Sequence, residues 1–158
     1  MKEIYLTQGK TAIVDDDDFD HLNQFKWFYH NGYAVRHGCR KGAKRDTQIR
    51  MHREILNNPQ GIVDHINGNR SDNRKSNLRI SDKTRNMANS RIRGGISKFK
   101  GVALVKNRLH SSTQWVARIG VFGYRFHIGF YKTEDEAAIA YNKIASEWFG
   151  KHARLNNV

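Results

Sequence analysis

Residues 62–79 read Ile-Val-Asp-His-Ile-Asn-Gly-Asn-Arg-Ser-Asp-Asn-Arg-Lys-Ser-Asn-Leu-Arg. An extended apolar stretch ends at Val63, and residues 64–77 hold too many Asn, Asp and Gly for regular structure. These are turn formers, because their short side chains bond nearby backbone or tolerate left-handed geometry. Ser81 is a good N-cap and Asp82 suits the positive end of a helix. No breaker follows until Gly94-Gly95, so the spacing predicts a helix over 81–91. The order is strand, polar loop, strand, helix.

The loop also concentrates charge. The chain of 158 residues carries 28 Lys and Arg against 15 Asp and Glu, a formal charge of +13. Residues 1–50 hold nine basic and seven acidic side chains, including the run Asp15 to Asp18, whereas residues 51–100 hold eleven against four. A polyanion belongs on that second stretch, nucleic acid before an anionic membrane. No apolar run approaches the ~20 residues of a membrane span and no signal segment opens the chain, so a cytoplasmic protein is expected. Cys39 is the only cysteine, which excludes a disulfide framework within the chain and a Cys-rich zinc ribbon.

Short strands are expected at 3–6, 11–14, 33–36 and 48–52, with short helices at 19–28 and 53–57. Residues 94–98 read as a flexible basic linker. Beyond it, strands at 99–105, 115–119 and 126–131 precede a helix capped by Thr133, with Glu134, Asp135 and Glu136 in its first turn. The class is α+β, with modules at 1–93 and 99–158.

Asp64, His65 and Asn86 suggest hydrolysis of a phosphodiester. Such chemistry uses a hard divalent cation on oxygen ligands and a base that is neutral near pH 7. Asp64 supplies the charged oxygen, His65 the base and Asn86 a second, neutral oxygen. One carboxylate and one amide suit a largely hydrated Mg2+ or Mn2+.

These residues, with Asn77-Leu78 and the Asn-Gly-Asn and Asp-Asn-Arg elements, resemble the HNH nuclease motif. Asn77 falls twelve residues after His65, and Asn86 falls 22 after Asp64. His52-Arg53 resembles the pair that precedes the motif in phage-type HNH homing endonucleases. The resemblance implies a ββα-metal fold over about 52–91, with Asp64 and Asn86 as metal ligands and His65 activating water. Asn77 would hold the loop, and His52 would be either structural or orienting.

Ser97-Lys-Phe-Lys-Gly-Val102, Trp115-Val-Ala-Arg-Ile119, Ala137-Ala138-x-Ala140-Tyr141 and Ala153-x-Leu155-Asn156 resemble the plant APETALA/ethylene-response-factor DNA-binding domain. That family lays a three-stranded sheet in the major groove with a helix behind it. By the resemblance, Lys100, Arg118, Arg125 and His127 face DNA and Tyr141 reaches phosphate. Ala103, Val105 and Gly120 stand where the family has arginines, so the plant target does not transfer. Arg118 and Arg125 also read as solvated charges, and Tyr141 as core.

The expectation is a monomeric homing-type endonuclease that nicks duplex DNA. Arg70, Arg74, Lys75, Arg79 and Arg85 would meet phosphates near the metal, and Arg91 and Arg93 would track the backbone. The alternatives are a DNA-binding regulator with a vestigial nuclease motif and an RNA-binding or nucleoid protein.

Overall fold

A computed structural model describes residues 1–38, 47–92, 94–106 and 113–158. Arg93, expected to follow the DNA backbone, lies outside them. Met1–Ser81 and Asp82–Val158 form separate units. Among the described residues the elements are four helices and four small antiparallel sheets, a mixed α and β content.

In the first unit, β1 (Lys2–Tyr5) pairs with β2 (Thr11–Val14), burying Ile4, Ala12 and Val14 on one face. Helix α1 (Asp16–Leu22) follows at once. The acidic run fills its first turn, where negative charge meets the exposed N–H groups. The helix expected over 19–28 therefore starts and stops earlier. The Trp27 indole donates to the Leu22 carbonyl at 2.8 Å and closes the helix end, freeing Phe28 to begin a strand. That strand, β3 (Phe28–His30), joins β4 (Tyr33–Gly38) and β5 (Thr47–Arg50) in one sheet. Helix α2 (Met51–Ile55) comes next and buries Met51, His52 and Ile55.

The chain then forms β6 (Ile62–His65) and β7 (Leu78–Ser81), an antiparallel pair that spans the polar loop. The strand thus extends two residues past Val63 and includes Asp64 and His65. The loop docks on the edge of β2: Ile13 N donates to Ser71 O and Asn73 N to Ile13 O, each at 2.8 Å. The unit's core joins Ile4, Leu6, Val14, Leu22, Trp27, Met51 and Leu78.

The second unit opens with α3 (Lys83–Ala88). Ser81 ends β7 instead of capping this helix, and the cap is Asp82, whose side chain accepts from Arg85 N at 2.8 Å. The sequence places the module boundary at 94–98, after this helix. The structure groups α3 with the C-terminal residues instead, because they satisfy its last carbonyls. Met87 O and Ala88 O accept the Lys100 ammonium, and Ala88 O accepts Arg154 N at 3.1 Å.

β8 (Val102–Lys106), β9 (Thr113–Val121) and β10 (Tyr124–Tyr131) form an antiparallel sheet with β9 in the middle. Helix α4 (Glu134–Phe149) starts with a complete capping box between Thr133 and Glu136. Its Ala137, Ala138, Tyr141 and Ala145 pack on Phe99, Val102, Ala117 and Ile119. Gly101 has φ +75°, and a Cβ there would stand 2.1 Å from the Tyr141 ring. Only glycine lets that backbone cross the ring.

Candidate active site and nucleic-acid interface

Asp64 and Arg79 are cross-strand partners in the β6–β7 pair. Arg79 donates to Oδ2 of Asp64 from Nε at 2.9 Å and from Nη2 at 2.7 Å. Both side chains are largely buried, and the fork of two donors orients the carboxylate.

His65 is 5% exposed, with Nε2 3.3 Å from Oδ1 of Asn73. The Asn73 amide is oriented by its own bond from Nδ2 to Ser71 O at 3.2 Å, so it presents oxygen to the imidazole. An imidazole protonated on Nε2 is the tautomer that would satisfy this amide oxygen. Burial lowers the His65 pKa, opposed by the Asn73 bond and the Asp64 charge. The His65 imidazole is therefore neutral at pH 7.

Asparagines and aspartates knit the loop. Asn77 Oδ1 accepts from Asn67 N at 3.0 Å, and its Nδ2 donates to Asp72 O at 2.8 Å. Asp72 accepts two bonds from Arg74, at 2.8 and 2.7 Å, and its carboxyl pKa falls below the usual range for that reason first. Lys75 bonds Asp18 at 2.7 Å, and its backbone N–H donates to Asp15 at 2.8 Å. The leading segment therefore pins the loop that orients His65.

Beside His65 lies His52, 3% exposed, with ring centroids 5.0 Å apart. Its Nδ1 has no hydrogen-bond partner among the described residues. Desolvation first, and then the charges of His65, Arg50, Arg53 and Arg70, push its pKa down to about 3. Tyr33 packs on both rings, at 5.1 Å from His52 and 6.1 Å from His65. The sequence reading missed Asn73, Tyr33 and Arg50. Asn73 stood within the quoted Asp-Asn-Arg element, but nothing in that string marks which asparagine meets the imidazole.

The first unit thus brings together Asp64, His65, Asn77, Arg79, His52 and Arg70. Arg74 and Lys75 are both engaged by carboxylates. Asn86 is half-buried on α3 of the second unit, Arg85 pairs with Asp82 at 3.5 Å, and Arg91 is exposed.

On the sheet of the second unit, Arg118 is the register partner of His127 and Gly120 that of Arg125. Residues two apart share a face, so Arg118, Arg125 and His127 project from the same side. Ile119 and its partner Phe126 take the other side, where Phe126 meets Trp148 of α4 edge-on at 5.4 Å. Lys100 has its ammonium on the α3 carbonyls, and burial lowers its pKa to about 8. Tyr141 is 3% exposed in the core, and burial raises its pKa to about 12.

Among the described residues no three His, Cys, Asp or Glu side chains cluster as a metal site. The donors around β6 are one buried carboxylate and several amides. That set fits a hard, oxygen-seeking, mostly hydrated cation. No helix among the described residues is long and apolar enough to cross a membrane.

A buried carboxylate and a neutral histidine thus lie next to each other on one hairpin strand. Residues 57–88 match the family described as HNH endonuclease. A relative from Acanthamoeba polyphaga mimivirus, "Uncharacterized HNH endonuclease L560", is 30% identical over 159 residues, covering 96% of this chain and 77% of the relative. The chain belongs to the HNH endonuclease family.

Two Arabidopsis thaliana proteins are each 45% identical over 64 residues, 39% of this chain. They are ethylene-responsive transcription factor WRI1 and AP2-like ethylene-responsive transcription factor At1g16060. The chain spans only 14% and 17% of their lengths. No solved structure matches.

Proposed function

We propose that this protein is a divalent-metal-dependent, homing-type DNA endonuclease that nicks one strand of duplex DNA as a monomer. The observation that carries the reading is His65: buried, kept neutral by that burial, and 3.3 Å from the Asn73 amide oxygen. Nδ1 takes a proton from water as that water attacks phosphorus in line, and the 3′ oxygen leaves. Asp64 would hold the cation, and the sequence pattern assigns Asn86 as the second ligand. Mg2+ or Mn2+ supplies positive charge to the phosphate and the departing oxygen.

The sheet of the second unit binds the duplex through Arg118, Arg125 and His127, a role supported by the partial likeness to the plant transcription factors. Arg91 and Arg93 follow the strand nearby. Lys100 and Tyr141 act beneath the sheet, holding its shape.

The test incubates purified protein with supercoiled plasmid, with Mg2+ or with EDTA. Open-circle product with Mg2+ alone is expected, and Asp64→Ala and His65→Ala should each abolish it while DNA affinity stays nearly unchanged. Wild-type rates in either variant would remove the site. Binding without any cutting by the wild type would leave a regulator.

A further inference from the structure

Arg50 and Arg70 flank a single aromatic ring. The Arg50 guanidinium carbon is 5.1 Å from the centroid of Tyr33, and that of Arg70 is 4.6 Å from it. Both arginines are exposed, and among the described residues neither has a carboxylate partner. This contrasts with their neighbours. Arg36 is forked onto Glu54, Arg74 onto Asp72 and Arg79 onto Asp64. Two positive charges on one half-buried ring, left uncompensated while nearby arginines are paired, make a local demand for an anion.

The arrangement is built. Arg70 crosses the β3–β4 turn, where Nη1 donates to Asn31 O at 3.1 Å. Gly32 at that turn has φ +88°, and a Cβ there would stand 3.2 Å from Arg70 Cδ. The turn is therefore shaped around the arginine stem. Arg50 closes β5 at the entry to α2, so its position is fixed by two elements. Tyr33 leads from both guanidinium groups to the imidazole of His65, 6.1 Å from its ring.

We propose that Arg50, Tyr33 and Arg70 form a cradle for one phosphodiester of the DNA strand beside His65, with Arg50 and Tyr33 as substrate-positioning residues. Guanidinium is the suited group, because its planar fork stacks on an aromatic face while its N–H edge remains for phosphate oxygens. The proposal rests on His65 being the base of a nuclease. It places the strand so that a bound phosphate lies within reach of that base.

The test measures two quantities on the full chain for wild type, Arg50→Gln, Arg70→Gln, Arg50→Lys and Tyr33→Leu. The first is the salt dependence of binding to a 20-base-pair duplex in EDTA, and the second is nicking of supercoiled plasmid in Mg2+. Each Gln variant should bind about tenfold more weakly. Its log–log salt slope should fall by about one unit. Its turnover at saturating plasmid should drop at least tenfold. Arg50→Lys keeps the charge and should restore the slope but not the turnover, since ammonium lacks the fork. Tyr33→Leu removes the ring that both guanidinium groups face, so it should weaken binding and lower turnover as the Gln variants do.

Wild-type slopes in both Gln variants overturn the cradle while leaving a nicking wild type as a nuclease. Lowered slopes with a wild type that never nicks remove the nuclease reading and keep the cradle as a DNA phosphate site. Full restoration of turnover by Arg50→Lys overturns the positioning role. Because both arginines are exposed and the core is untouched, a folded variant is expected, and its thermal midpoint reports it.

Discussion

Arg79 places two donors on one oxygen of Asp64, its register partner across the β6–β7 pair. The side chains are 13% and 8% exposed, so each charge depends on the other in a medium poorer than water. Arg79→Ala should therefore cost about 3–5 kcal/mol, because it strands a buried carboxylate. Asp64→Ala should cost less in the Arg79→Ala background than alone. Urea unfolding of the two single variants and the double variant checks this, and additive losses would deny the coupling.

Asn73 acts on His65 at a distance of 3.3 Å and on nothing else in the reaction. Asn73→Ala should lower kcat roughly 10–100-fold, the range typical of a partner that orients a ligating or reacting group, with KM little changed. Asn73→Asp is more diagnostic. A carboxylate at Nε2 would stabilise imidazolium and raise the His65 pKa, which burial now keeps low. The base must be neutral, so the rising limb of the pH–rate profile should move to higher pH. An unmoved limb would detach Asn73 from the base.

The hairpin and the last helix were legible because local rules and tertiary structure agree there. Turn-forming asparagines and a period-two strand on either side fix a hairpin with a polar loop. The run Thr133 to Glu136 is a capping box, and Gly150 ends the helix with φ +49°. What was not legible depends on pairs distant in sequence. Asp15 and Asp18 read as an acidic stretch, yet they meet Lys75 57 to 60 residues on. Lys100 read as DNA-facing by its resemblance to the plant domain, and only the α3 carbonyls explain its burial. Nothing in the sequence ties Tyr33 or Arg50 to the site. Their significance arises when β4 and β5 bring them to Arg70 and the two histidines.

His52 makes stability depend on pH. Its folded pKa is about 3 against an ordinary 6.5, so the unfolded chain binds the proton first as pH falls. Stability contributed by the neutral ring is full above about 6.5 and is lost progressively towards 3. The slope approaches ~1.4 kcal/mol per pH unit for one proton. The urea midpoint of the wild type should decline between pH 7 and 5. His52→Leu should flatten that decline in part, since His65 is shifted in the same direction. An identical decline in the variant would show that His52 does not drive it.

The sheet face offers the sharpest test of DNA recognition. Arg118 lies opposite His127 and Arg125 opposite Gly120, which puts three potential donors on one side of β9 and β10. Gly120 adds no side chain, so Arg125 has clearance on that face, whereas Arg118 is half-buried. We expect Arg125 to read a base edge and Arg118 to meet phosphate. Arg125→Ala should then lose roughly 1–3 kcal/mol at one preferred base and relax selectivity there. Arg118→Ala should weaken binding evenly across sequences and lower the salt slope by about one unit. Lys100→Met gives the contrast. Its ammonium is spent on Met87 and Ala88, so the variant should lose thermal stability while the salt slope stays at the wild-type value. Binding-site selection with wild type and each variant, alongside salt titrations, separates these outcomes. Identical selected motifs and slopes for Arg118→Ala and Arg125→Ala would mean that this face does not touch DNA. A reduced slope for Lys100→Met would return that lysine to the interface.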